Sequence, residues 1–152
     1  MNFFKIFLLT IIVVALIMIF YVIVYNKIKT QILKINSVEN KIDESLRNKY
    51  DLIVKLVSEI KQVDKTVKIK DVEKIKDQEL SSFEFERKLT DLESQIYTIK
   101  NDNNKLLKSS VVNDLWYEIS NINARIKAEK DYYNENTTLY NSLVTKFPSK
   151  LI

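Results

Sequence analysis

The sequence predicts an all-α protein, in which an N-terminal transmembrane helix is followed by an antiparallel four-helix bundle with long first and last helices. Three observations support this fold class. A run of 21 residues near the N-terminus carries no charge. Downstream, apolar residues recur at intervals of three or four, the period of an amphipathic helix. The 152 residues include no glycine and one proline, Pro148, so little interrupts a helix.

The uncharged run extends from Ile6 to Asn26, with the sequence IFLLTIIVVALIMIFYVIVYN. A helix of this length reaches about 30 Å, the thickness of a bilayer core. We therefore expect residues 1–26 to form a transmembrane anchor with a single span from Ile6 to Tyr25. A cleaved signal peptide would have a shorter apolar stretch and small residues at its end, whereas this run ends in tyrosine and asparagine. A helix buried in a soluble core is the other alternative.

Lysine residues close to the span predict its orientation. Lys5 precedes the span, and four lysines follow it within the next turns: Lys27, Lys29, Lys34 and Lys41. Because positive residues stay on the cytoplasmic side, we expect an external N-terminus and a cytoplasmic body in a single-pass protein of the cell membrane.

The soluble body is expected to cover residues 27–152. Its first helix is expected to run from residue 27 to 63, either as a separate helix or as a continuation of the membrane helix. No helix-breaking residue lies in this segment. Its apolar stripe has spacings of three and four and comprises Ile28, Ile32, Ile35, Val38, Ile42, Leu46, Tyr50, Ile53, Val57, Ile60 and Val63. One such stripe requires packing partners along the helix.

Three further helices are predicted at about 67–80, 82–100 and 111–147, separated by polar clusters. Ser81 and Glu84 have the spacing of a capping box and mark the start of the third helix. Its stripe is Phe85, Leu89, Leu92, Ile96 and Ile99. The stripe of the last helix is Val112, Leu115, Ile119, Ile122, Ile126, Tyr133, Tyr140, Val144 and Phe147, and Pro148 ends it. An alternative fuses the middle two helices and gives a three-helix bundle, which would place Ile152 far from the membrane instead of near it.

The composition excludes several kinds of chemistry. Without glycine there is no phosphate-binding loop, and without cysteine or histidine there is no thiolate, no imidazole base and neither of the usual soft ligands for zinc, copper or haem. The sequence therefore predicts no catalytic, cofactor-binding or metal-binding residues, and no enzyme activity. A hydrolase or metal enzyme that uses carboxylates on facing helices is the alternative, although bundle di-metal sites of the ferritin type also use histidine.

Two segments resemble the LemA family of bacterial membrane-anchored proteins. The first is YNKIKTQILKINSVENKIDESLRNKYDLIVKLV, residues 25–57, and the second is VVNDLWYEISNINARIKAEKDYYNENTTLYNSLVTKFPSKLI, residues 111–152. The chain departs from the family at Val54, where proline is usual, and at Lys55, where asparagine is usual. The resemblance implies one N-terminal span, an antiparallel four-helix bundle and no established enzymatic activity.

The leading functional hypothesis is a non-enzymatic, membrane-tethered module that docks another protein or organises a membrane region. Tyrosine and arginine often dominate interfaces, so the candidate surface comprises Arg47, Tyr50, Asp51, Arg125, Tyr132, Tyr133 and Asn134. Tyr50 and Tyr133 lie on the apolar stripes, where a core position is the simpler interpretation. The partner is expected to be an unidentified membrane or cytoplasmic protein.

The charge of the chain indicates anionic lipid as a further partner, and its apolar surface indicates a second copy of the chain. The 24 basic residues are interleaved with 20 acidic ones, which argues against nucleic-acid binding. Lys27, Lys29 and Lys34 are instead expected to be attracted to anionic lipid headgroups. The stripes of the first and last helices extend beyond what shorter middle helices can cover, so a homo-oligomer is also an option.

Overall fold

A computed structural model describes residues 2–69, 72, 75 and 80–146. These residues form four helices and no strand: α1 (Asn2–Val63), α2 (Ser82–Asn101), α3 (Asn104–Lys108) and α4 (Ser110–Thr145). The all-α class and the long first and last helices are thus confirmed. The chain divides into two compact units, which we call the terminal unit (residues 1–39 and 131–152) and the central unit (residues 40–130).

The helix α1 is continuous over 62 residues, as the absence of helix breakers indicated. Within it, the hydroxyl groups of Thr10 and Thr30 donate to carbonyl oxygens four residues earlier, at 2.9 and 2.8 Å. Its early residues are apolar on every side and exposed. Among the described residues, α1 is the one helix long and apolar enough to cross a bilayer by length and composition, with a mean hydropathy of 3.2 over 18 residues.

The core of the central unit is built from the predicted stripes. On α1 the stripe residues from Leu46 to Ile60 are buried, together with Leu56 on a neighbouring position. The cluster is completed by Ile69 and Val72, by Leu89, Leu92 and Ile96 of α2, by Leu106 of α3, and by Val112, Ile119 and Ile126 of α4. Burial of these apolar side chains is the main favourable contribution to packing of the helices.

The side-chain contacts of the central unit fix the directions of its helices. Ser82, at the start of α2, donates to Asp43 at 2.6 Å, and Asn103, just beyond its end, donates to Asp64 at 2.8 Å. The helix α2 therefore runs parallel to this part of α1. Helix α4 is antiparallel to α2, because Trp116 near its start lies against Tyr97 with ring centroids 5.9 Å apart, whereas Lys130 pairs with Glu86.

The structure corrects the start of the helix that was predicted at 67–80. Residues 67–69 are not helical, and most of the remaining positions lie outside the described residues. Val67 and Ile69 are two residues apart, a spacing that suits extended chain better than a helix. The connection from α1 to α2 nevertheless contributes to the core through Ile69 and Val72. The short fourth helix is instead α3, and α2 starts separately at Ser82, so the fused three-helix alternative is not what the structure shows.

Polar caps end and start the helices of the central unit. The predicted capping box is present: Ser81 Oγ accepts from the Glu84 N–H, and the Glu84 carboxylate accepts from the Ser81 N–H at 3.1 Å. Hydrogen bonds from the hydroxyl and N–H of Ser81 lower the pKa of Glu84. After α1, the hydroxyl and N–H of Thr66 and the amide of Asn103 donate to Asp64 and lower its pKa to about 2. Asp64 thus joins the end of α1 to the N-cap of α3.

The terminal unit contains the first part of α1 and the last part of α4. Val38 is buried on α1, and on α4 the stripe residues Tyr133, Tyr140 and Val144 are half-buried. Asn136 is buried as well, and its amide donates to the carbonyl oxygen of Tyr132 at 2.7 Å. Helix α4 ends at Thr145. The predicted stop at Pro148 and the position of Ile152 lie outside the described residues.

Two adjacent valines of α4 provide a matched test of this packing. Val112 is fully buried, whereas Val111 is 49% exposed. We expect Val112→Ala to lower the free energy of unfolding by about 2 kcal/mol, because two buried methyl groups are lost. Val111→Ala should change it by less than about 0.5 kcal/mol. Denaturant unfolding of the full chain in detergent, followed by circular dichroism, measures both. Equal effects of the two substitutions would contradict the assigned packing of α4.

Candidate functional site

A groove on the central unit brings together three of the seven predicted surface residues. We call it the α1–α2 groove; it has a volume of about 350 Å³ and is lined by Asp43, Leu46, Arg47, Tyr50, Asp51, Ile75, Leu80, Ser82 and Phe85. The apolar residues form its floor, and charged residues of α1 form its rim. The i,i+4 spacing of α1 places Asp43, Arg47 and Asp51 along one face, with both signs of charge alternating.

Tyr50 lies in the floor of this groove. Its side chain is only 6% exposed, its ring packs against Phe85 with centroids 6.0 Å apart, and its hydroxyl donates to the carbonyl oxygen of Val72 at 3.4 Å. Tyr50 is therefore a core residue with one edge facing the groove. Arg47 and Asp51 are exposed on either side of it. A partner that enters the groove would meet an aromatic floor between an arginine and two carboxylates.

The other four predicted residues lie on α4 and do not line the α1–α2 groove. Arg125, in the central unit, is exposed and donates to Glu129 at 2.9 Å, which is an ion pair within one helix. Tyr132, Tyr133 and Asn134 belong to the terminal unit. Tyr132 and Asn134 are exposed and Tyr133 is half-buried, so the stripe position of Tyr133 gives it a packing role.

A second groove, which sequence reasoning did not find, separates α2 from α4 in the central unit. This α2–α4 groove has a volume of about 730 Å³ and is lined by Lys49, Glu86, Thr90, Glu93, Ser94, Tyr97, Thr98, Trp116, Asn123, Ile126, Lys127 and Lys130. Its hydroxyl side chains lie one turn apart on α2. Each of them donates to a carbonyl oxygen of α2 itself, four residues earlier.

Glu93 connects three helices at the base of the α2–α4 groove. Its Oε2 pairs with Nζ of Lys49 from α1 at 2.7 Å, and its Oε1 accepts from the amide of Asn123 from α4 at 2.6 Å. Lys49 is only 4% exposed, which is rare for a lysine. A buried ammonium needs such a partner, because its desolvation is otherwise uncompensated. Lys49 and Glu93 are 44 positions apart, so no local spacing signals this contact.

The carboxylates of the α2–α4 groove are engaged by ammonium groups: Glu93 by Lys49 and Glu86 by Lys130. No group of three or more acidic, histidine or cysteine side chains able to hold a metal ion occurs among the described residues. The chemistry that the groove offers is charge-assisted hydrogen bonding and aromatic contact, the latter through the exposed Tyr97 and the adjacent Trp116.

Comparison with known protein families gives one match, and it covers most of the chain. The model of the LemA family matches residues 38–152. The chain belongs to the LemA family. The matched region includes α2, α3 and α4 completely, and the part of α1 that carries Arg47, Tyr50 and Asp51. No curated protein matches the chain, and no solved structure does. The LemA match confirms the resemblance that the two sequence segments indicated.

The Lys49–Glu93 pair of this LemA-family chain can be tested with isosteric substitutions. We expect Glu93→Gln to lower the free energy of unfolding by about 3 kcal/mol, because a buried ammonium loses its counter-charge while Asn123 keeps an acceptor. Combining Glu93→Gln with Lys49→Met removes both charges and should restore most of that loss. Thermal and denaturant unfolding measure the four proteins of this cycle. Strictly additive effects of the two substitutions would show that the pair is not coupled.

Proposed function

We propose that this LemA-family protein is a non-enzymatic, membrane-anchored interaction module. The N-terminal part of α1 spans the cell membrane once, from Ile6 to Tyr25. The rest of the chain forms a helical body on the cytoplasmic side, where it docks a protein partner. The observation that carries this proposal is the exposure of the apolar side chains at the start of α1.

Apart from the half-buried Val24, the large apolar side chains from Phe3 to Tyr25 are 47–87% exposed, with Phe3 the most exposed. Water is a poor environment for an apolar surface of this extent, and such surfaces mark membrane or protein contacts. The leucine, isoleucine, valine and phenylalanine residues together favour insertion by on the order of −5 to −8 kcal/mol on a membrane-insertion scale. A bilayer is the environment that covers a helix apolar on all sides.

Anchoring and orientation are tested together with fusion proteins. We expect the full chain to remain in the membrane pellet after alkaline carbonate washing, and a variant without residues 6–25 to move to the supernatant. Alkaline phosphatase fused after Ile152 should be inactive, because the excess of lysine after the span holds the body in the cytoplasm. The matched control carries the same reporter behind a cleavable export signal. High reporter activity would reverse the topology, and a mature chain that begins after Tyr25 would identify a removed signal sequence.

The α1–α2 groove supports the docking part of the proposal. An apolar floor with an aromatic edge, surrounded by exposed charges, is the composition of interface centres and rims. Tyr50 and Phe85 supply the floor, and Arg47 and Asp51 supply the rim. The LemA match includes all four residues. Because the rim carries both signs of charge, its complement on a partner is a mixed-charge surface.

Proximity labelling in living cells tests docking at this groove. With a labelling enzyme fused after Ile152, we expect Arg47→Ala combined with Asp51→Ala to reduce labelling of at least one neighbour by about tenfold, the effect of losing an interface contact of moderate strength. Lys55→Ala combined with Lys61→Ala is the control, since both lysines are exposed on α1 and line neither groove. Arg125→Ala tests the α4 residues in the same way. An identical set of neighbours in every variant would refute docking at these residues.

A further inference from the structure

We propose that the terminal unit carries a binding site for the headgroup of one anionic phospholipid that also bears hydroxyl groups, such as phosphatidylglycerol. The site is a groove of about 480 Å³ between α1 and α4, which we call the interfacial groove. The residues that carry the argument are Lys27, Gln31 and Lys34 of α1 and Leu139, Ser142 and Leu143 of α4. The inference rests on the membrane anchoring proposed above.

The position of the interfacial groove along α1 matches the headgroup layer. The α1 residues that line it begin at Asn26, directly after the uncharged run, and end at Lys34. At 1.5 Å per residue they cover about 12 Å of helix. The headgroup region on one side of a bilayer is about 5 to 8 Å thick. In an anchored chain, the groove therefore starts at the depth of the lipid phosphates.

The charge of the groove suits an anion. Two lysines line it, and none of the described residues that line it carries a carboxylate. Neither Lys27 nor Lys34 takes part in an ion pair among the residues that the structure describes. The hydroxyl of Ser142 adds a neutral donor beside them. Two ammonium groups and a hydroxyl are a donor set that fits a phosphodiester.

Gln31 indicates that the ligand also donates hydrogen bonds. Its side-chain oxygen Oε1 is buried and has no hydrogen-bond partner among the described residues. A buried acceptor without a donor is unfavourable, and a phosphodiester, which carries no proton at neutral pH, cannot supply one. The hydroxyl groups of a glycerol headgroup can. Leu139 and Leu143 give the groove an apolar side, which suits the glycerol backbone and the first carbons of the acyl chains.

Native mass spectrometry of the full chain in a non-ionic detergent tests the site. We expect the wild-type protein to retain one phosphatidylglycerol and to release phosphatidylcholine under the same conditions. Lys27→Gln combined with Lys34→Gln should weaken phosphatidylglycerol retention by about tenfold or more, because two charge-assisted hydrogen bonds are lost. Lys29→Gln combined with Lys41→Gln removes the same charge from exposed positions of α1 outside the groove and should leave retention unchanged.

A further variant tests the hydroxyl preference. Gln31→Leu should reduce the preference for phosphatidylglycerol over phosphatidylmethanol, a phosphodiester lipid of the same charge without headgroup hydroxyls, while binding of phosphatidylmethanol persists. Unchanged melting temperatures of all variants in detergent show that the fold is intact. Glycerol phosphate in solution is the test for a free anion: it should not bind at millimolar concentration.

Several results would overturn the site. Equal weakening by both lysine pairs would show diffuse attraction of charge to lipid. Equal retention of phosphatidylcholine, tight binding of free glycerol phosphate, or a dimer that excludes lipid would assign the groove to another occupant. Membrane pelleting of the same proteins separates this failure from failure of the anchor. A chain that pellets without retaining phosphatidylglycerol has an anchor but no site, whereas a chain in the supernatant has lost the proposed function as well.

Discussion

Helix α1 is one unbroken helix that meets two different packing requirements, and the rest of the structure depends on this. From Ile6 to Tyr25 it is uncharged and apolar on every side, so no single helical partner can cover it. From Val38 onward the apolar residues lie on one face, the predicted stripe with Leu52, Val54 and Leu56 beside it, and the other helices of the central unit pack against that face. The backbone of α1 is α-helical from Asn2 to Val63. The change from a helix that is apolar on all sides to one that is apolar on one face is therefore a change in side chains alone.

Sequence periodicity predicted most of the helical fold, since each stripe is a local property of one helix. Leu46, Ile53 and Ile60 on α1 and Leu89 and Ile96 on α2 are all buried where spacing placed them. The start of the segment after α1, residues 67–69, was mispredicted as helix because Ile69 packs into the core without helical geometry. Ile69 and Val72 enter the core from a connection that lets α2 run parallel to α1. Contacts of that kind depend on tertiary structure, which local spacing does not encode.

For the candidate sites, too, residues close together on one helix were predictable, and contacts between helices were not. Arg47, Tyr50 and Asp51 were found because one helix turn brings them together, and the structure places them in one groove. Glu93 was missed because its partners, Lys49 and Asn123, come from two other helices. Such a three-way contact fixes how far each helix is shifted along its neighbours, since a shift by one turn, about 5.4 Å, would break both bonds to Glu93. We infer that this buried pair contributes specificity of packing more than stability.

Two carboxylates of the central unit, those of Glu86 and Glu93, are committed to salt bridges between helices. A general acid or base must exchange its proton with a substrate, yet the Glu86 and Glu93 carboxylates of the α2–α4 groove each hold an ammonium group. Use of either one as a catalyst would require that a salt bridge between helices open first. In contrast, Lys27 and Lys34 of the interfacial groove and Arg47 and Asp51 of the α1–α2 groove form no salt bridge with another described residue that would have to open before they meet a ligand. Charges arranged in this way support recognition of a headgroup or a protein surface.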